Sequence, residues 1–336
     1  MDPIYKKFEE ASRDIGIVLE NVELALGEFG VSTVAPDSSK PYRIFLPKHV
    51  LLPGSSIDFE TNMVRHTAEV SDELREYWNF YLRLSQGEEA VLKRQELERV
   101  IEKENLSEWM QENNISILRS FLSLNPNKRS IRICLGDARA FSHPKVGRVF
   151  MPYLDFVNHN QGAPGFKVED DGMGISGDSE TQEVFVSYGS KDATQLLNFY
   201  GFVAPTDRLY AAPAVLNTQD GMRINLSRTP NQGVTLKNMG RGPSIRKTAH
   251  EIAISFFLIA MKNRPAASKI SWEIGLDHAK GLTAKEKQHL IQMRSSIILQ
   301  TYNKLWMTHR RAEQIQDETL RTLIMRATQE SLNVLN

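Results

Sequence analysis

The chain has 336 residues, with 41 Lys and Arg against 41 Asp and Glu and a formal net charge of zero. Hydrophobic residues at 41% and charged residues at 24% are ordinary globular values, which excludes a disordered chain. The absence of a net positive field argues against an electrostatic nucleic-acid binder, and the single cysteine, Cys134, excludes an internal disulfide or a cysteine-built zinc cluster.

The length predicts two or three domains at ~100–200 residues each. The N-terminal MDPIYKKFEEASRD is charged and lacks the apolar core of a secretory signal. No apolar run reaches the ~18 residues of a bilayer span; the longest is Ile252 to Met261. The expectation is a soluble intracellular protein, cytoplasmic or, in a eukaryote, also nuclear, and monomeric.

Taken in chain order, residues 1–26 place Ile4, Phe8, Ile15, Val18, Leu19, Val22 and Leu26 on one helical stripe. Gly30, Pro36 and Pro41 then punctuate a region in which Arg43–Leu46 and Val50–Leu52 read as short strands. From Ser71 the pattern is helical to about Leu124, with Ser71-Asp72-Glu73 as cap and acidic first turn. Its charged stretch from Glu88 to Glu104 reads as a solvated outer helix.

Strand-and-loop character returns over 129–204. Val149 to Val157 is a near-continuous apolar run, expected as a strand buried on both faces. Asp170-Asp171-Gly172 reads as a hairpin turn, Glu183 to Tyr188 as a strand, and Thr194 to Phe199 as a short helix. From Pro243 the pattern reads as helical to the end. Ile245 to Met261 is expected as one helix, Thr283 with Glu286 as a capping box, and Leu320 to Leu335 as the last helix.

No nucleophile elbow, P-loop or zinc-protease motif is present, and the eight histidines are scattered, so no metal site is expected. Two segments stand out instead. One is Asp155-Phe156-Val157-Asn158-His159. The other runs from Val186-Ser187-Tyr188-Gly189 to Tyr200-Gly201-Phe202-Val203. With Ala138-Arg139-Ala140-Phe141 ahead of them, their order resembles the SET-domain protein methyltransferases. The closer likeness is to the branch typified by the RuBisCO large-subunit lysine methyltransferase. The chain departs from that pattern at Gly27-Glu28-Phe29-Gly30, where the branch has Gly-Leu-Gly. It departs again at Ala138, where serine is usual, and at Thr181-Gln182-Glu183, where Gly-Glu-Glu is usual.

The resemblance implies an α+β fold, a SET-domain β-fold with a helical insertion, followed by an all-α C-terminal domain. The implied boundaries are an N-terminal helix at 1–26, a split SET domain at 27–68 and 129–204, an insertion at 69–128, and a substrate-binding helical domain at 215–336. It implies S-adenosylmethionine as cofactor and a protein substrate docked on the C-terminal helices. Tyr188 would be the active-site tyrosine. Glu28, Phe29, Gly30, Arg139, Asn158, His159, Tyr188, Tyr200 and Phe202 would hold the cofactor. Ala138, Phe141, Asp155, Val186, Tyr200 and Phe202 would line the pocket of a substrate lysine. The carbonyls of Ala138, Asp155 and Val186 would face the methyl group through weak C–H···O contacts. Ala140-Phe141 and Leu154 favour lysine over histidine as the methylated residue. The altered loop at Gly27–Gly30 is what a catalytically weak binding module of the same fold would show.

Overall fold

The computed structural model describes residues 3–27, 30–58, 61, 63–86, 99–101, 103, 140–178, 182–189, 191–217, 221–227, 242–249 and 251–335. The chain divides into two compact units, Met1–Arg99 with Arg119–Ser190, and Val100–Leu118 with Lys191–Asn336.

The first unit opens with helix α1 (Pro3–Asp14), whose Phe8 is fully buried. A central antiparallel sheet follows, in the order Val18–Glu20, Tyr42–Pro47, Gly172–Gly177, Lys167–Val168. Glu23–Gly27 and Gly30–Val34 form a hairpin, and Leu52–Pro53, Gly147–Phe150 and Phe141–His143 form a second small sheet. The helix α2 (Asp72–Gln86) turns Trp78, Tyr81 and Leu82 into the same core. Each such side chain contributes about 1.5–3 kcal/mol on burial. The Phe8 ring organises the contact of α1 with its neighbours: it stacks on Tyr77 at 5.4 Å and meets Phe156 edge-on at 5.9 Å.

The second unit carries helix α3 (Ala193–Tyr200), opened by a capping box between Asp192 and Gln195 and closed by Gly201 in the left-handed region. A four-stranded sheet follows in the order Ala214–Asn217, Arg223–Ser227, Glu251–Ser255, Ser244–Lys247, with its central pair parallel. Arg208–Tyr210 pairs with Leu258–Met261. Three helices complete the unit: α4 (Ala267–His278), α5 (Ala284–Ala312) and α6 (Glu318–Asn333). The Thr283–Glu286 capping box forms as expected. No helix among the described residues is long and apolar enough to cross a membrane.

The architecture is thus mixed helix and sheet, with a helical region from Ala267 onward. Four local expectations differ. The N-terminal stripe ends at Asp14, because Gly16 takes a φ of +92° and the apolar residues beyond it lie on strands. The C-terminal region is not all-helical. Ile245, Ile252 and Ile259, spaced by seven, fit a helix face, yet Ile252-Ala253-Ile254 alternates as a strand and Thr248 closes a turn with Glu251. Val149–Val157 is not one strand: it leaves the sheet after Phe150, and Tyr153 at φ +73° leads into a 3₁₀ turn at Leu154–Phe156. Its apolarity reflects burial rather than extension. In place of a strand over Val50–Leu52, a 3₁₀ turn occupies Lys48–Val50 and a short strand starts at Leu52. The helical expectation over 87–98 and beyond 103 lies outside the described residues.

Glu9 on α1 is buried, accepts a hydrogen bond from the Leu24 N–H and lies near Arg13. Burial pushes its carboxyl above the ordinary 4.5, against the pull of the Leu24 N–H and of Arg13. The native state therefore holds this proton to higher pH than the unfolded chain, and stability falls as pH rises through that window. Glu9→Gln keeps an acceptor for Leu24 and removes the buried charge. We expect its melting temperature at pH 7 to rise by about 2 °C, equivalent to about 1 kcal/mol in a unit of this size. The difference from wild type should vanish in melts at acid pH; a less stable variant at pH 7 would show that the ionised form is favoured.

Candidate active site

Asn158 and His159 follow the 3₁₀ turn at Leu154–Phe156 and form a short parallel ladder with Phe185 and Val186. The pairing sets Asn158 opposite Phe185 and His159 opposite Val186. A two-residue ladder has little strength of its own, so its flanks matter. The Asn160 N–H donates to the Val186 carbonyl (3.2 Å), and the Ser187 N–H donates to the Pro164 carbonyl (2.9 Å). On the other side the Val184 N–H donates to the Thr33 carbonyl (2.9 Å), in the return strand of the Gly27–Gly30 hairpin. Three segments distant in sequence are thereby joined within the first unit.

This pairing delivers Tyr188. Its backbone N–H donates to Nδ1 of His159 (3.0 Å), and the two rings lie 5.0 Å apart. An imidazole nitrogen that accepts carries no proton, so the His159 proton sits on Nε2. The Tyr188 hydroxyl donates to the Val157 carbonyl (2.9 Å). With its single proton engaged there, the phenol oxygen can meet any other group only as an acceptor. The Asn158 amide nitrogen donates to Glu183 Oε1 (2.6 Å), which orients the amide oxygen as an acceptor too. These half-buried segments carry several acceptors, the Val157 carbonyl, the Tyr188 phenol oxygen, the Asn158 amide oxygen and the Glu183 carboxylate, beside one donor, His159 Nε2–H. That set suits a positively charged ligand, and it contains no cluster of His, Cys, Asp and Glu that could hold a metal among the described residues.

The remaining expected residues fall as follows. Gly30 opens the return strand of its hairpin. Glu28, Phe29, Ala138 and Arg139 lie outside the described residues. Val186 is fully buried by side chain, and its carbonyl is engaged by Asn160. Phe141 sits on the small hairpin, its ring 5.8 Å from Phe166. The Asp155 carboxylate accepts a hydrogen bond from the Tyr81 hydroxyl of α2. Tyr200 and Phe202 belong to the second unit, where their rings are 6.0 Å apart.

Three polar residues around these groups were not assigned roles from sequence. Glu183, seen there only as the remnant of a longer acidic motif, is the partner of Asn158. Tyr81 reaches Asp155 from 74 positions away, a separation that leaves no local signal. Lys191 lies with its ammonium 5.8 Å over the Tyr200 ring. Burial lowers its pKa, and burial also pushes that of Tyr200 up to about 12.

No protein-family model matches the chain, and no curated protein matches it in sequence. Among solved structures it is similar to Rubisco LSMT bound to AdoMet, at 13% identity and a TM-score of 0.48, covering 100% of this chain and 90% of that one. It is similar to the SET domain of LSMT bound to MeLysine and AdoHcy, at 14% identity and a TM-score of 0.47, with the same coverage. It is also similar to Rubisco LSMT bound to Sinefungin and Monomethyllysine, at 13% identity and a TM-score of 0.46, again over 100% and 90% of the two chains.

Asn158→Asp tests the Asn158–Glu183 bond. The introduced carboxylate faces that of Glu183 across a hydrogen-bond distance, so one of the two must take a proton and the pair's folded-state pKa rises. Stability should therefore fall as pH rises, with a loss of about 1–3 kcal/mol at pH 8. Urea titrations should show the loss shrinking by pH 5; a pH-independent effect would show that the two side chains do not meet.

Proposed function

We propose that this protein transfers a methyl group from S-adenosylmethionine to the side-chain amine of a lysine in a protein substrate. The observation that supports this reading is the meeting of Tyr188 with Val157 and His159, the two segments whose order in the sequence resembles the SET-domain enzymes. S-adenosylmethionine supplies a methyl group on a positively charged sulfur. The residues present fit such a cation, since the Val157 carbonyl, the Tyr188 phenol oxygen and the Glu183 carboxylate are acceptors.

The chain's own contribution is to hold and to align. A lysine amine must lose its proton from an ordinary pKa near ~10.4 before it can act as a nucleophile. Tyr188 is not required as its base. The proton of its hydroxyl is engaged by Val157, so the oxygen serves as an acceptor for an amine N–H. An acceptor held this way restricts the amine's orientation, and well-oriented reactants gain as much as ~7–11 kcal/mol over free encounter. Asn158, braced by Glu183, is suited to the ammonium end of the cofactor, and His159 offers Nε2–H as a donor to its polar edge. Glu28, Phe29, Gly30 and Arg139 complete the cofactor site by resemblance. In the same reading Phe141 supplies an aromatic wall for the lysine. The protein substrate docks on the C-terminal helices, and the enzyme acts as a cytoplasmic monomer.

Calorimetric titration with S-adenosylmethionine, followed by incubation of the labelled cofactor with a cell lysate, tests this reading. We expect saturable binding and a labelled protein whose modified residue is lysine. Tyr188→Phe should lower kcat by about 100-fold, the scale of one positioned donor or acceptor, and change the cofactor Kd less than threefold. Tight binding without any transfer would indicate a binding module instead. Absence of cofactor binding would contradict the reading outright.

A further inference from the structure

The α2 helix carries two tyrosines one turn apart whose hydroxyls have different uses. Tyr77 is bonded to Ser12 Oγ of α1 (3.0 Å), and Ser12 in turn donates to the Phe8 carbonyl (2.7 Å). That pair ties two helices together inside the core. Tyr81 is also fully buried, but its hydroxyl donates to the carboxylate of Asp155. A phenylalanine would keep the ring in this core and lose only the hydroxyl's bond. The hydroxyl is thus useful for what it holds.

Asp155 occupies the centre of the 3₁₀ turn at Leu154–Phe156. The turn is closed by Asp155 N–H to Met151, Phe156 N–H to Tyr153 and Val157 N–H to Leu154, each at 3.1 Å. It is entered through Tyr153, a non-glycine residue at φ +73°, a conformation that persists only when its surroundings fix it. The next carbonyl after this turn is that of Val157, the acceptor of the Tyr188 hydroxyl. Any rotation of the turn would swing that carbonyl. From the buried face of α2, Tyr81 grips the turn.

We propose that Tyr81 is a positioning residue: acting through Asp155, it fixes the Val157 carbonyl and so the place of the Tyr188 phenol. Its consequence for catalysis rests on the role proposed for Tyr188. The structural link does not, and the two are separable by experiment.

The test uses the full chain labelled with ¹⁵N-tyrosine. Tyr81→Phe is expected to shift the Tyr188 amide resonance and to speed its hydrogen exchange at least tenfold. The Tyr210 amide, bonded to Asp192 in the second unit, should stay unchanged. Asp155→Ala should produce the same displacement at Tyr188, and the double variant should add nothing further. Tyr77→Phe, which removes a hydroxyl from the same helix, should leave Tyr188 where it is. In methyl transfer, Tyr81→Phe should lower kcat about tenfold while KM and the cofactor Kd stay within twofold. An unmoved Tyr188 amide in both Tyr81→Phe and Asp155→Ala would overturn the proposal, as would an equal shift in Tyr77→Phe. A displaced Tyr188 in a protein whose wild type transfers no methyl group would uphold the link and overturn the function.

Discussion

The short parallel pairing of Asn158–His159 with Phe185–Val186 is the constraint on which the site depends. Parallel ladders are slightly less stable per residue than antiparallel ones, and this one is only two residues long. Its persistence comes from its neighbours. Val157, Val184 and Val186 are buried in the core of the first unit, and the hydrogen bonds of Asn160, Ser187 and Val184 anchor both sides. Slipping the register by one residue would turn the buried Val186 outward and separate Tyr188 from both of its partners. The core thus enforces a geometry that the ladder alone could not.

From that constraint follows the electrostatic character of the site. Tyr188 uses its backbone N–H on His159 and its hydroxyl proton on Val157. Asn158 uses an amide proton on Glu183. These bonds fix the phenol oxygen, the amide oxygen and the carboxylate in orientation. A half-buried group of oriented acceptors costs nothing to reorganise when a cation arrives, which is the physical content of electrostatic preorganisation. The proposed methyl donor presents such charge, and the neutral substrate amine would offer N–H groups to the same kind of acceptor.

Parts of this were readable in the sequence and parts were not. Asn158, His159 and Tyr188 were legible because their residue types and order are unusual together, and the structure joins them. The Thr283–Glu286 cap and the helix it opens were legible because capping is local chemistry. The Ile245–Met261 strands were misread because isoleucines spaced by seven fit one helix face, while the three strands that carry them are only four or five residues long and offer little room for a period-2 alternation to show. The apolar run at Val149–Val157 was misread because burial alone does not distinguish an extended strand from a tightly packed turn. The Tyr81–Asp155 contact was illegible in principle, since only the folded core brings residues 74 positions apart into register. Glu183 was visible as a residue, yet its partnership with Asn158 depends on the same long-range pairing.

The most direct test of the central claim is to locate the cofactor on the chain. Ultraviolet cross-linking of S-adenosylmethionine carrying a labelled methyl group, followed by peptide mapping, reads this out without requiring a known substrate. Label on peptides spanning 158–160 or 183–189, with or without label on those carrying residues 28–30 and 139, and abolished by excess unlabelled cofactor, is the result the account requires. Competable label only on peptides outside all of these segments would contradict it.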